Sequence, residues 1–381
     1  MKISTLFGVL LSAVVVMTAP SAWGQTKDFN EDGFNYQINA GGTSVTLVGD
    51  HPLYSYISMS AVEVPPAVEH DGVSYTVTGI GEKAFVGNLV LQSVVLPATV
   101  ETIGANAFEK CEALRSVNIP EGVMSIGAGA FSECVSLKTV ELPSTVTELG
   151  YRAFYDCRGL KNVILSSGLT SLANAQFIHC EALSAIVIPE GVTEVGDNAF
   201  QFCRALTDVT LPSTLKRIGN LAFGNCDKLA EITIPDGVTE IGYQAFAYCP
   251  ALTRVVLPEH IDFIAENAFY GSGVKQLVSL NMTPPTLETN VVSDYSAVTV
   301  YVRADALTAY RDNADWQQFA AIEPLAPVLG DLNNDGQVNS GDVSGLFNII
   351  LNESAVPAAD LNGDNNVNAA DVSTLYDLIV K

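Results

Sequence analysis

Apolar residues recur with a period of 23 positions through the middle of the chain, and the unit that begins at Ile103 illustrates the pattern. In the first part of this unit, Ile103, Ala107 and Cys111 recur four positions apart, which predicts a short helical turn with one apolar face. In the second part, Val117 and Ile119 lie two positions apart, with a polar residue between them, which predicts a strand. A single unit of this size cannot bury its own apolar face, so we expect the units to stack into a solenoid with a shared core.

The same residue types occupy the same places in eight consecutive units. In one unit they are Ile126, Gly127, Ala130, Phe131, Cys134, Leu137, Val140, Leu142 and Pro143. This pattern resembles the leucine-rich repeats of the BspA-like bacterial surface proteins, the Treponema pallidum type, over about half of the chain. The resemblance implies an α/β repeat fold, with a parallel sheet on the concave side and short helices on the convex side. It also implies surface adhesion or the binding of host proteins.

One unit departs from the pattern at three positions. Ser166 replaces the expected proline, Ala173 replaces the glycine, and Gln176 replaces the alanine that precedes Phe177. The departures indicate either a bend in the solenoid or sequence drift, and the sequence leaves both alternatives open.

Seven cysteines follow the same 23-residue period. They are Cys111, Cys134, Cys157, Cys180, Cys203, Cys226 and Cys249. Equivalent residues of stacked units would lie about 4.8 Å apart, a separation that also permits a disulfide. However, side chains in such a row point in parallel, their number is odd, and zinc prefers clustered tetrahedral ligands. We therefore favour buried free thiols that pack as small apolar side chains, although exported proteins usually oxidise their cysteines.

The first 24 residues have the features of a secretory signal. Lys2 gives a positive start, positions 6–17 are mostly apolar, and Ala22 and Gly24 precede a plausible cleavage site before Gln25. The apolar run is shorter than the roughly 20 residues that a membrane span needs, and no other segment is long enough. We therefore expect a secreted or cell-surface protein whose mature chain has no membrane span.

The formal net charge of −24 narrows the classes of partner. Binding to a nucleic-acid backbone requires clustered Lys and Arg, and anionic membrane surfaces attract cationic segments. We therefore expect neither a nucleic-acid partner nor docking on an anionic membrane.

Periodicity and composition divide the chain into five segments. These are a signal peptide (1–24), an N-terminal β cap (25–79), the leucine-rich-repeat solenoid (80–269), a C-terminal cap (270–326) and an acidic, α-helical dockerin-like module (327–381). The two caps are expected because the ends of a solenoid would otherwise expose its core.

The outward side chains of the predicted concave sheet are the candidate partner surface. Arg115, Lys138 and Lys161 fall on adjacent strands, although the chain has only 18 Lys and Arg residues. Ile164 and Val187 place apolar side chains beside these cations. The group is either a contact surface for a host or surface protein or glycan, or a solvated face balanced by a neighbouring glutamate.

Two aligned twelve-residue segments near the C-terminus offer oxygen ligands at positions 1, 3, 5, 7 and 12. The candidate ligands are Asp331, Asn333, Asp335, Gln337 and Asp342 in the first loop, and Asp360, Asn362, Asp364, Asn366 and Asp371 in the second. Calcium takes six to eight such oxygens in a loop with glycine at position 6. Gly336 meets this requirement, while Asn365 stands there in the second loop and tolerates left-handed backbone. A helical apolar pattern follows each loop, and we expect two calcium ions.

A pair of such loops, each followed by a single helix, resembles the type I dockerin domain. The resemblance implies docking onto a cohesin module of another protein, with partner choice at loop positions 10 and 11. These positions hold Ser340 and Gly341 in the first loop and Ala369 and Ala370 in the second. Because the two pairs differ, they argue against a two-fold-symmetric docking mode.

No catalytic constellation is visible. Catalysis needs a positioned nucleophile and base or an open metal site, and the four histidines are scattered singly. We expect an exported, non-catalytic, adhesin-like binding solenoid that the calcium-dependent C-terminal module tethers to a larger assembly. The alternative is a structural spacer subunit of a secreted, cellulosome-like complex, and an enzyme is the third and least favoured interpretation.

Overall fold

The computed structural model describes most of the chain. The described residues are 27–51, 53–325, 332, 338, 340–351, 359–361 and 366–379. The predicted signal peptide lies outside them. Within this part of the chain, no helix is both long enough and apolar enough to cross a membrane.

Six strands precede the repeats. They are β1 (Phe29–Glu31), β2 (Phe34–Ile38), β3 (Ser44–Val48), β4 (Ala61–Glu63), β5 (Ala67–His70) and β6 (Val73–Ile80). Strands β1, β2 and β3 pair antiparallel in sequence order, and β3 pairs in parallel with β6. Ile80 at the end of β6 pairs with Ile103, so the N-terminal strands lead directly into the repeat ladder.

Each repeat contributes a strand of two to four residues to a first sheet, which is interrupted at three places, and, in all but one unit, a two-residue strand to a second sheet. In chain order the strands are β7 (Ser93–Val95), β8 (Thr102–Ile103), β9 (Ser116–Val117), β10 (Ser125–Ile126), β11 (Thr139–Glu141), β12 (Glu148–Leu149), β13 (Asn162–Ile164), β14 (Ala185–Val187), β15 (Glu194–Val195), β16 (Asp208–Thr210), β17 (Arg217–Ile218), β18 (Glu231–Thr233), β19 (Glu240–Ile241), β20 (Arg254–Leu257), β21 (Phe263–Ile264), β22 (Gln276–Ser279), β23 (Thr286–Leu287), β24 (Thr299–Val302) and β25 (Ala321–Pro324). Equivalent residues of successive units pair in parallel, as Thr139 does with Asn162 and Ile126 with Ile103. The predicted parallel-sheet solenoid of the leucine-rich-repeat type is therefore confirmed.

The predicted helical turn of each repeat is a run of turns instead of a helix. Ile103, which the apolar spacing placed on a helical face, lies in β8 of the second sheet. Two residues of the same unit, Asn106 (φ 54°) and Lys110 (φ 61°), have left-handed backbone, which a right-handed helix of L-residues cannot contain. Bonds to the next unit replace helical bonds, as where the Phe85 N–H donates to the Ala107 carbonyl at 2.7 Å.

The core is a stack of the recurring apolar positions. Nine phenylalanine rings lie parallel from Phe85 to Phe269, with neighbouring centroids 5.2–5.5 Å apart and planes within 10° of one another. At the C-terminal end, the buried side chains of Tyr310 and Trp316 pack edge to face at 4.8 Å. Tyr310 belongs to helix α1 (Leu307–Asp312), and two 3₁₀ turns, Tyr295–Ala297 and Trp316–Gln318, complete this region.

The described residues of the C-terminal module include two α-helices, α2 (Ser340–Leu351) and α3 (Ala369–Ile379). Their small core contains Leu346 of α2 and Leu375 of α3, together with Ala359 and Leu361 from the connecting segment. Leu346 and Leu375 occupy equivalent places in the two aligned segments, so the module has an internal repeat of its own.

Candidate functional sites

The two C-terminal loops end on equivalent aspartates at the starts of α2 and α3. The carboxylate Oδ1 of Asp342 accepts a hydrogen bond from the Leu332 N–H at 2.6 Å, and Oδ1 of Asp371 accepts one from the Leu361 N–H at 2.8 Å. The second oxygen of Asp371 accepts the Asn368 N–H at 2.8 Å. Both aspartate side chains are completely buried. Position 12 of each loop is thereby joined to position 2, which closes the loop beside its helix.

The buried carboxylates fit a cation site. An ionised carboxylate is costly to bury without a compensating positive charge, and the only Lys or Arg that follows Arg311 is Lys381. Two further predicted ligands are in the described part of the chain, Asp360 half-buried and Asn366 exposed. The other six predicted ligands lie outside the described residues: Asp331, Asn333, Asp335, Gln337, Asn362 and Asp364. Among the described residues, no three His, Cys, Asp or Glu side chains cluster as metal ligands.

The predicted docking positions fall in the first turns of the two helices. Ser340 and Gly341 begin α2, while Ala369 and the exposed Ala370 begin α3. Their role in choosing a partner stays a prediction.

The predicted contact residues lie along the first sheet, but the three cations each stand one residue before a strand (β9, β11 and β13) and not within it, whereas Ile164 and Val187 end β13 and β14. Arg115, Lys138 and Lys161 are exposed, and Ile164 and Val187 have relative exposures of 58% and 64%. No carboxylate of the described residues forms an ion pair with any of these three cations. The structure therefore places free positive charge and exposed apolar surface side by side, and their role in binding stays a prediction.

The outer face changes character towards the C-terminus. A groove of about 670 Å³ crosses it, lined by Thr210 and Thr233 with the carboxylates of Asp208 and Glu231. Val256, at the end of this groove, lies on the outer side by strand alternation but is 3% exposed because Val278 and Leu280 pack around it. The face therefore has a cationic part and a hydroxyl-rich part of mixed charge, because Lys228, Arg254 and Lys275 line an adjoining groove together with Asp208 and Glu231.

The cysteine row is a packing and hydrogen-bonding element. All seven thiols are free and buried, and each donates to the carbonyl of the phenylalanine one unit earlier at 3.1–3.4 Å. Burial raises the pKa of Cys111 to about 12, and it also raises the pKa of the thiols from Cys134 to Cys226. Because the thiolate is the reactive and metal-ligating form, these protonated thiols suit neither role.

Asn88 occupies the position equivalent to the cysteines in the unit before the row, and the sequence analysis did not single it out. The amide nitrogen of Asn88 donates to the carbonyls of Tyr56 at 2.7 Å and Met59 at 3.1 Å. Its carbonyl oxygen accepts the N–H groups of Val90 and Leu91 at 3.1 and 3.0 Å. These bonds hold the segment that contains Tyr56 and Met59 against the first repeat. The sequence offered one signal for this role, since Asn88 lies one 23-residue period before the first cysteine.

Comparison with known proteins supports both parts of this architecture. A family model described as the BspA type leucine rich repeat region matches residues 78–206 and 170–297, with six copies of the repeat. A model of the dockerin type I domain matches residues 329–379. Both families are non-catalytic, their members are typically extracellular or exposed at the cell surface, and dockerin type I domains generally bind calcium.

Solved structures of bacterial leucine-rich repeat proteins are similar to this chain. A protein from Bacteroides ovatus is 23% identical, with a TM-score of 0.53 over 80% of this chain and 93% of its own. The Treponema pallidum leucine-rich repeat protein is 28% identical, with a TM-score of 0.47 over 53% of this chain and 91% of its own. A leucine-rich cell surface protein from Faecalibacterium prausnitzii is 24% identical, with a TM-score of 0.43 over 78% and 94%. No curated protein matches the chain.

Proposed function

The chain belongs to the BspA-type leucine-rich repeat family and carries a dockerin type I domain, and from this premise we propose that it is an exported, non-catalytic, adhesin-like binding protein. The solenoid binds a host or surface protein or glycan. The dockerin domain tethers the solenoid to a larger assembly by docking onto a cohesin module.

The observation that carries this proposal is the row of exposed cations that immediately precede three neighbouring strands of the first sheet. Arg115, Lys138 and Lys161 stand in equivalent positions of successive repeats, in a chain of net charge −24, without a carboxylate of the described residues in ion-pair contact. Beside them, more than half of the Ile164 and Val187 side chains is exposed. Apolar anchors bordered by unpaired cations are suited to a partner that brings carboxylates and apolar groups.

The test replaces the three cations together with serine, the residue that occupies the next position of the same row at Ser184. Wild type and variant are compared on a panel of immobilised host-matrix proteins and glycans. We expect the variant to lose about tenfold or more in affinity for the ligand that the wild type binds. A control variant with serine at Lys83, Lys110 and Lys216 loses the same charge elsewhere and should bind normally. Equal binding by wild type and the outer-face variant would refute this assignment.

The calcium-dependent part of the proposal assigns two ions to the ten loop positions. Asp342 and Asp371 each supply a buried carboxylate to an ion, while Asp360 and Asn366 are further ligands of the second loop. A bound cation would stabilise these buried carboxylates in their ionised form, and it couples loop closure to helix docking. Calorimetric titration of the full chain should show two calcium sites. Asp342→Asn and Asp371→Asn should each abolish one site, and Asp377→Asn, in the same module, should abolish neither. Helical signal that is indifferent to a chelator would contradict the loop assignment.

The docking part of the proposal assigns partner choice to Ser340, Gly341, Ala369 and Ala370 in the first turns of α2 and α3. A pull-down with a cohesin module, with and without calcium, checks it. Retention that does not depend on calcium, or the absence of any retention, would count against it.

The alternative function, a spacer subunit of a secreted multi-protein complex, is favoured by the regularity of the core. Nine parallel phenylalanine rings make a continuous stack about 40 Å long from Phe85 to Phe269, at one ring per repeat. A rod of this kind needs no ligand on its faces. The absence of any ligand for the wild-type solenoid in the panel above would favour the spacer over the adhesin.

A further inference from the structure

A strip of aromatic and guanidinium groups crosses the turn side of the solenoid, away from the outer face of the first sheet. We define this convex ridge as Tyr151, Arg152, Tyr155, His179, Phe202 and Arg204. The Arg152 guanidinium carbon lies 5.0 Å from the Tyr151 ring centre and 4.8 Å from that of Tyr155. The ridge continues through neighbouring units, because Tyr155 meets His179 edge to face at 6.3 Å.

The second half of the ridge is also stacked. The rings of His179 and Phe202 lie parallel at 4.4 Å, and the Arg204 guanidinium lies over Phe202 at 5.6 Å. Each of the four rings therefore has a neighbour against it. Aromatic edges carry partial positive charge, and guanidinium groups carry only hydrogen-bond donors. The ridge consequently offers donors and positive edges to a partner rich in acceptors, while the Glu181 carboxylate lies 3.9 Å from Nδ1 of His179.

Arg152 differs from the other arginines of this region. Arg158 pairs with Asp156 at 2.8 Å, and Arg204 pairs with Asp227 at 2.9 Å. For Arg152, no carboxylate of the described residues lies within ion-pair distance. Stacking against two tyrosines holds its guanidinium in place, which reduces the conformational entropy that a partner would have to remove.

We propose that the convex ridge is a second docking surface, and that its partner is an acidic polypeptide segment. A carboxylate of the segment pairs with the Arg152 guanidinium, and backbone carbonyls accept hydrogen bonds along the strip. Tyr, Arg and Phe are residue types that are enriched at protein interfaces. A neutral glycan fits less well, because it offers no charge to Arg152 and needs open ring faces, and each ring of the ridge already has a neighbour.

The repeat supplies substitutions that should not disturb the fold. Arg152 has left-handed backbone (φ 56°), and the equivalent residues of other units are Asn106 (φ 54°) and Asn198 (φ 60°). Arg152→Asn therefore removes the guanidinium and keeps a residue that this backbone accepts. Lys83→Asn, at the same position of the first unit and outside the ridge, is the matched control for charge.

The experiment selects binders of the full wild-type chain from a displayed library of random dodecapeptides, with counter-selection against Arg152→Asn. Enriched peptides are then synthesised, and their affinities are measured by fluorescence anisotropy. We expect every enriched peptide to contain Asp or Glu and to bind Arg152→Asn about tenfold or more weakly than wild type. Lys83→Asn should bind them as tightly as wild type does.

Four outcomes would overturn the proposal. They are no enrichment, enriched peptides without a carboxylate, equal binding to wild type and Arg152→Asn, and an equal loss of binding in the Lys83→Asn control. Binding of a neutral glycan array by wild type, abolished in Arg152→Asn, would also overturn it, since the ridge would then be a sugar site. None of these readouts involves the outer face of the first sheet, so the adhesin proposal can fail or hold independently.

Discussion

Gln176 is predicted to replace a backbone hydrogen bond that Ala173 removes. In the preceding unit, the Gly150 N–H donates to the carbonyl of Ile126 at 2.8 Å. The corresponding bond from the Ala173 N–H to the Leu149 carbonyl is missing among the described residues. Instead, the buried side-chain amide of Gln176 donates to the Leu149 carbonyl at 2.7 Å. The two departures from the repeat are thus one coupled change.

The need for glycine at this position explains the coupling. A Cβ at Gly127 would stand 2.5 Å from the Ala105 nitrogen of the unit before, closer than real Cβ contacts. Ala173 cannot approach its neighbour in that way, and the second sheet is interrupted between β12 and β15. Leu172 keeps only an isolated bridge to Val195 on the other side.

The expected changes in the free energy of unfolding follow from the buried polar groups. Gln176→Ala leaves the Leu149 carbonyl buried without a donor, a cost of about 1–3 kcal/mol. Part of this is offset, because Oε1 of Gln176 is itself buried without a hydrogen-bond partner in the described structure. Ala173→Gly alone costs about 0.5–1 kcal/mol in backbone entropy. The double variant restores the regular glycine–alanine unit, so we expect it to be at least as stable as wild type, with a coupling energy of about 1–2 kcal/mol.

Urea unfolding of the four proteins in this cycle measures the coupling. The reverse transfer is the matched control, since Gly150→Ala should be strongly destabilising and the addition of Ala153→Gln should recover part of the loss. If the changes in the free energy of unfolding caused by Ala173→Gly and by Gln176→Ala simply add in the double variant, Gln176 does not compensate for Ala173.

Three further predictions concern the cysteine row and Asn88, which lies one period before it. The seven thiols should resist iodoacetamide at pH 8 until the chain unfolds. Burial raises the pKa of Cys111 to about 12. The free energy of unfolding should therefore be independent of these thiols below the ordinary thiol pKa of about 8.5. It should fall as the pH rises from there towards 12, by up to about 1.4 kcal/mol per pH unit for each such thiol, because only the unfolded chain ionises. Urea unfolding between pH 7 and 10 checks this, and Cys157→Ala should flatten the slope, whereas an unchanged slope would contradict it. Asn88→Cys places at position 88 the residue that the following units have there. It should lower the free energy of unfolding by at least about 2 kcal/mol, because four hydrogen bonds are lost. A thermal midpoint equal to that of wild type would show that these bonds do not stabilise the loop.

The sequence predicted the stacking of the units but not the path of the chain within each unit. The 23-residue period requires equivalent residues to lie over one another, and this gives the parallel register and the phenylalanine stack directly. The spacing of Ile103, Ala107 and Cys111 is compatible with a helix and equally compatible with a series of turns. The choice between them lies in backbone angles such as those of Asn106 and Lys110, and side-chain periodicity does not report those angles.

The candidate sites were predictable where one unit sufficed to define them. Asp342 and Asp371 follow from loop position alone, and both lie buried at the starts of their helices. The convex ridge was not predictable in the same way. Arg152 and Tyr155 meet across one turn, while His179 and Phe202 come from later units, so their contact depends on how turns of successive units superpose.

The identity of the recurring cysteine is best explained by the backbone of the preceding unit. In each of seven units, the thiol donates to a phenylalanine carbonyl of the unit before, as Cys111 does to the Phe85 carbonyl at 3.1 Å. The Phe85 carbonyl also accepts the Asn88 N–H at 3.2 Å, so the thiol is a second donor, which alanine would not supply. Cysteine fills the apolar space and also supplies a weak donor. One period after the last cysteine, the hydroxyl of Ser272 turns to the Phe269 carbonyl of its own unit at 2.6 Å. The same parallel stacking that repeats this contact buries the thiols and keeps them protonated, and thiolate is the form that oxidises. A solenoid of this kind can therefore keep its cysteines reduced for a packing reason, without any redox role for the row.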